Sequence, residues 1–260
     1  MSVLPVAADS TTRPTALKQA GQGRPVECGA AHSNDSMSAD LLPAIEIETA
    51  PDPDAAVIWL HGLGDDGRGW SEIVPALRLP PPLRARFLFP HAPVMPVTIN
   101  RGYPMRAWYD IRENDFNERA DIAGVKQSQT QVEALIARET LRGIAARRIV
   151  LAGFSQGGAI ALYAGLRYPE RLAAIVALST YVIAPAALAA DATAANRDIP
   201  IFMAHGTQDP VVQFRWAEAS RDVLIAAGYA VEWHSYPMPH SALPEEIEAI
   251  SRFLVRVLER

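Results

Sequence analysis

The chain has 260 residues, 49% of them apolar and 20% charged, and a formal net charge of −5. This is the composition of a globular protein with a substantial core. The acidic balance argues against nucleic acid as a partner, since binding through a basic field needs clustered Lys and Arg against phosphate. No run of about 20 apolar residues occurs, so no integral membrane segment is expected. The single cysteine, Cys28, cannot close an internal disulfide, which favours a reducing cytoplasmic compartment over a disulfide-stapled secreted scaffold.

Residues 1–38 are rich in Ser, Thr, Gly, Ala and Pro without a sustained apolar period, and are expected to form a disordered tail. They lack the basic start and uninterrupted apolar stretch of a secretory signal, and Met37 is an alternative start. Residues 40–260 are expected to form one domain. AIEIET (44–49) alternates strictly and ends at a Pro-Asp-Pro turn, which predicts an edge strand. AAVIWLHG (55–62), RARFLF (84–89), RRIVLAG (147–153), LAAIVALS (172–179), IPIFMAHG (199–206) and AVEWHSY (230–236) read as further strands, most of them continuous apolar runs suited to burial on both faces.

Residues 90–117 form a long segment rich in Pro, Trp and Tyr, a length that in a compact domain points to function. Residues 119–139 place Ile122, Val125, Val132, Leu135 and Ile136 at helical spacings, and 244–259 do the same with Ile247, Ile250, Phe253, Leu254 and Val257. Strands alternating with helices predict an α/β fold with a mostly parallel central sheet and helices on both faces. In such a sheet, functional residues belong just beyond the carboxyl ends of the strands.

GFSQG (153–157) fits G-x-S-x-G between a strand and a run of small residues that lets a helix lie close to the sheet. A serine at such a strained turn is a nucleophile presented above the sheet, and the flanking glycines avoid crowding it. Serine needs a base, and the expected chain order is Ser, then acid, then His. Three histidines follow Ser155. His234 lies inside an alternating strand and His205 ends one, whereas His240 follows a strand and precedes the last helix. Asp209 follows IPIFMAHG at the same sheet edge, while Asp191 and Asp198 precede that strand and Asp222 lies within a helix. Position therefore selects Ser155, Asp209 and His240. An oxyanion needs two backbone donors; Gln156 supplies one, and Leu63 in the glycine-rich loop HGLGDDGRGW (61–70) the other. His61 precedes the serine and reads as a loop-ordering residue. The histidines and acids show no metal-ligand spacing, and the glycine-rich loop lacks a phosphate-loop lysine, so no cofactor or metal is expected.

VIWLHGLGDDG, FPHAPVMPVTINRGYPMRAWYDI, VLAGFSQGGAIALYAGL, IFMAHGTQDPVV and SYPMPHS, in this order from about Ile45 to the C-terminus, resemble the phospholipase/carboxylesterase family of α/β-hydrolases, which includes acyl-protein thioesterases. The resemblance implies the α/β-hydrolase fold, the same triad and oxyanion pair, and a cytosolic serine esterase that is a monomer or weak homodimer. It also implies that Met105 and Trp108 form apolar walls of an acyl groove, with Val211 facing the same groove. One departure is Pro239, where the family often has glycine before the histidine. The expected reaction is hydrolysis of small acyl esters or thioesters of short to medium chain. Lysophospholipase, acyl-protein thioesterase, acyl-transfer and non-catalytic binding readings stay open, because the carbonyl chemistry is shared.

Overall fold

The computed structural model describes residues 41–112 and 121–259. The expected tail, the Met37 start, and the junction where the helix from residue 119 was expected to begin lie outside the described residues. Seven strands build the main sheet: β1 (Ala44–Glu48), β2 (Ala55–Leu60), β3 (Ala85–Pro90), β6 (Ile149–Phe154), β7 (Ala174–Leu178), β8 (Ile201–Gly206) and β9 (Val231–Tyr236), with β4 (Val94–Val97) and β5 (Tyr103–Arg106) set apart. The order across the sheet is β1-β3-β2-β6-β7-β8-β9. β1 is antiparallel to β3, and every other pairing is parallel. This is the mostly parallel α/β sheet expected from the alternation of elements, and it matches the α/β-hydrolase fold that the resemblance implies.

The continuous apolar runs have the burial that parallel strands require. β2 is buried along its whole length; Ala56, Ile58 and Leu60 enter one core, and Ala55, Val57 and Trp59 the other. The first core is covered by α3 (Ile122–Leu141), α4 (Gln156–Arg167) and α6 (Phe214–Ala226), and the second by α2 (Ile73–Leu77) and α7 (Pro244–Leu258). The short helices α1 (Arg68–Ser71) and α5 (Leu188–Asp191) sit in connections. Pro244 opens α7 at its first helical position, where its missing N–H has no intrahelical partner to lose. Of the apolar positions expected to face the core from α3, Ile122 is instead exposed at the first turn, whereas Val125, Val132, Leu135 and Ile136 are buried.

Two features depart from the sequence pattern. Within the long segment after β3, β4 and β5 pair antiparallel, with Pro96 opposite Pro104. Proline removes a ladder donor and hides a strand from pattern reading, yet is tolerated in so short a ribbon. Second, Glu139 of α3 is fully buried and accepts from Arg86 of β3 at 2.7 Å, while Arg86 also reaches Glu48 of β1 at 2.8 Å. This ion network ties the last turn of α3 to the antiparallel edge.

Candidate active site

β6 ends at Phe154 and α4 begins at Gln156, leaving Ser155 alone at the turn with φ 55° and ψ −121°. For a non-glycine residue this conformation is strained and must be held from outside. Three hydrogen bonds hold it. The Ser155 N–H donates to the Leu178 carbonyl at 2.8 Å, and the Ser155 carbonyl accepts from Thr180 Oγ1 at 2.6 Å and from the Ala159 N–H at 3.1 Å. The glycines are steric requirements: a Cβ at Gly153 would lie 2.4 Å from the Gly157 carbonyl, and one at Gly157 would lie 2.3 Å from the Leu60 carbonyl oxygen.

Asp209 and His240 meet at the same sheet edge. His240 Nδ1 lies 2.6 Å from Asp209 Oδ2, while Asp209 Oδ1 accepts from the N–H groups of Val211 at 2.8 Å and Val212 at 2.9 Å. Burial alone would raise the Asp209 pKa, but the bond to His240, its charge and the two N–H donors outweigh this and hold the carboxyl below its ordinary range. His205 stands behind: its Nε2 donates to the Val212 carbonyl at 2.8 Å and lies 3.4 Å from Asp209 Oδ2. Burial keeps that imidazole below the usual histidine range. The two loops are joined by the Gln208 N–H donating to the Met238 carbonyl at 3.2 Å, and Gly206 is needed because a Cβ there would lie 2.3 Å from the same oxygen. Pro239 keeps its carbonyl in use, accepting from the Ser241 N–H at 2.9 Å. His234 points elsewhere, to Glu232 at 3.0 Å.

Ser155, Gln156 and Leu63 open on a cavity of about 290 Å³ whose apolar wall includes Ile99, Ile111, Tyr181, Val211, Val212 and Trp216. Leu63 and Gln156 thus lie beside the serine, as expected, and Val211 lines the cavity while remaining half exposed. Met105 and Trp108 do not line it. Trp108 is buried, and its indole N–H donates to the His61 carbonyl at 2.8 Å. The Met105 sulfur instead accepts from Asn100, a lining residue, at 3.2 Å.

His61 orders the glycine-rich loop. Its Nε2 accepts from the Ala92 N–H at 3.1 Å, so the proton sits on Nδ1, which donates to the Gly62 carbonyl at 2.7 Å. Burial holds this imidazole below its ordinary pKa, and it stays neutral. Sequence reasoning missed the amide of Gln156: Oε1 accepts from the Trp108 N–H at 2.9 Å and Nε2 donates to the Tyr109 carbonyl at 2.8 Å. It also missed the joined hydroxyls of Tyr109 and Tyr181, whose burial keeps both phenols neutral beside the cavity. Nothing local in the sequence marks residues that meet across 72 positions of chain.

The phospholipase/carboxylesterase family profile matches residues 43–258. The acyl-protein thioesterase 1 of Neurospora crassa is 42% identical over 229 residues, covering 85% of this chain and 91% of that protein. Among solved structures, Arabidopsis thaliana SOBER1 superposes with a TM-score of 0.74 at 33% identity, covering 78% of this chain and 99% of that one. Zea mays acyl-protein thioesterase 2 gives 0.72 at 30% identity, covering 83% and 100%. The chain belongs to the phospholipase/carboxylesterase family of α/β-hydrolases and is by class a serine hydrolase of carboxylic esters and thioesters.

Proposed function

We propose that Ser155, His240 and Asp209 form the catalytic triad and that the N–H groups of Leu63 and Gln156 form the oxyanion hole. The carrying observation is the 2.6 Å contact of His240 Nδ1 with a buried carboxylate, at the sheet edge where the strained Ser155 opens on an apolar cavity. With Nδ1–H engaged by Asp209, the lone pair of Nε2 takes the Ser155 proton as Oγ attacks the acyl carbon. Carbonyl electrons move onto oxygen, where the two N–H groups stabilise them. The oxyanion collapses, the bond to the alkoxide or thiolate breaks, and His240 returns the proton to the leaving group. Water then releases the acyl chain by the same route.

An apolar-walled cavity of about 290 Å³ beside Ser155 suits an acyl chain of limited length. This supports the short to medium range, in ester or thioester form. The names of the relatives favour thioesters carried on proteins, and the single cysteine favours a cytosolic setting. A monomer or weak homodimer of one domain after a tail, with no cofactor, completes the reading.

Ser155→Ala is expected to lower kcat on p-nitrophenyl butyrate by roughly 10⁴-fold or more and to abolish labelling by a fluorophosphonate. Near-normal turnover by that variant, or a wild-type protein that the probe does not label, defeats the assignment. A graded series of acyl esters and thioesters then ranks the chain lengths.

A further inference from the structure

The residue inside G-x-S-x-G before the serine is Phe154, and its ring occupies an unusual junction. It is only partly buried, with its centroid 4.6 Å from that of the His240 imidazole at an interplanar angle of 48°. The Phe154 ring also meets Trp70 at 5.1 Å, and Trp70 stacks on the buried Trp59 at 5.2 Å. The oxyanion loop also leans on it: a Cβ at Gly62 would lie 3.4 Å from the Phe154 ring and 3.5 Å from Ser155 Cβ. One side chain therefore packs on the proposed base and lies close beside the loop of the proposed oxyanion hole, with Trp70 against it and Trp59 behind Trp70.

A cation within about 6 Å of an aromatic centroid is attracted by the ring's negative face. As the proposed base, the His240 imidazole gains a positive charge when it takes the serine proton, so this attraction grows as the charge develops. We propose that Phe154 is a positioning residue that acts through His240: it holds the imidazole between Asp209 and Ser155 and stabilises the imidazolium in the transition state. The inference rests on the triad reading above. The titratable groups facing His240 are Asp209 and, behind it, His205, while α7 begins nearby with Glu245 and Glu246. Phe154 adds no titratable group, so its contribution to the pH profile is that of the ring.

Removing the ring disfavours the charged imidazole, so the acidic limb of kcat/KM moves to lower pH. Phe154→Leu is expected to lower kcat about three- to tenfold with KM little changed, and to shift that limb down by about half a pH unit to one unit. Phe154→Tyr restores both within about twofold. A trifluorinated phenylalanine at 154 keeps the shape of the ring but removes its negative face, and is expected to behave like leucine. Thermal melts of each variant confirm the fold. An acidic limb that stays in place with the fluorinated ring overturns the proposal, as does a leucine variant with wild-type kcat. Ser155→Ala assayed in parallel separates the two failures, because a fault in the triad appears there whatever Phe154 does.

Discussion

Two backbone groups of the strap behind the cavity, the Trp108 N–H and the Tyr109 carbonyl, are buried and meet one side chain, the amide of Gln156. A neutral amide supplies an acceptor to the first and a donor to the second at once. The same residue opens α4 and lines the cavity, while its side-chain amide turns to the backbone of Trp108 and Tyr109. Gln156→Leu keeps much of the volume but leaves both backbone groups without partners in a dry setting, at about 1–3 kcal/mol each. It is expected to destabilise the fold by about 3 kcal/mol in urea unfolding and to lower kcat, since the strap carries the indole that holds the His61 carbonyl. A variant as stable as wild type would show that water replaces the amide. The joined hydroxyls of Tyr109 and Tyr181 carry the same lesson at the next layer: a neutral wall beside Ser155 is secured by polar groups that satisfy each other.

At the scale of elements, the approach of α4 to the sheet sets the geometry of the elbow. Its glycines differ in what they face. A Cβ at Gly157 would lie 2.3 Å from the carbonyl oxygen of Leu60, which is backbone and cannot yield; at Gly165 it would lie 2.7 Å from Cδ1 of Ile175, the movable end of a side chain. Replacing glycine by alanine within a helix gains up to about 1 kcal/mol in propensity, against about 1–3 kcal/mol or more for overpacking. Gly165→Ala is therefore expected to be near neutral, and Gly157→Ala to cost about 3 kcal/mol and most of the activity, because α4 must lift off β2 and take the serine with it. Urea midpoints and esterase rates on the two variants check this; equal midpoints would mean that the helix can slide. Those small residues were readable in the sequence because they form a contiguous run next to a strand. The β4–β5 ribbon was not, since each four-residue strand carries a proline and has no apolar alternation. The cavity wall was largely invisible for a related reason. Ile99 and Ile111 come from the long segment after β3, Tyr181 from the connection after β7 and Trp216 from the first turn of α6, and only the closed sheet brings them to one place.

Across the whole molecule, the succession of strands along the chain was the most readable feature, because burial on both faces writes continuous apolar runs into the sequence. The positions of Ser155, Asp209 and His240 after their strands followed from that order, and their loops do meet at one edge. Buried charge was not readable: Glu139 and Glu246 sit in helices where a carboxylate normally marks the solvent face. Glu246 has the sharper consequence. It is fully buried in the first turn of α7, and among the described residues its two oxygens have no well-formed hydrogen bond, the Leu243 N–H offsetting only part of the cost. Burial pushes its pKa from 4.5 up to about 7, and its charge in turn helps to raise that of Tyr236 after burial has done so. The folded chain therefore holds a proton between about pH 4.5 and 7 that the unfolded chain has released. Stability from this group is full below the unfolded pKa and is lost as pH rises through the folded one. Glu246→Gln copies the neutral acid and removes that dependence. It is expected to be more stable than wild type at pH 8 by on the order of 2–3 kcal/mol, with the advantage shrinking towards pH 5, as read from urea unfolding at the two pH values. A glutamine variant that is no more stable at pH 8 would mean that Glu246 is ionised in the fold and its charge is stabilised by the N-terminus of α7.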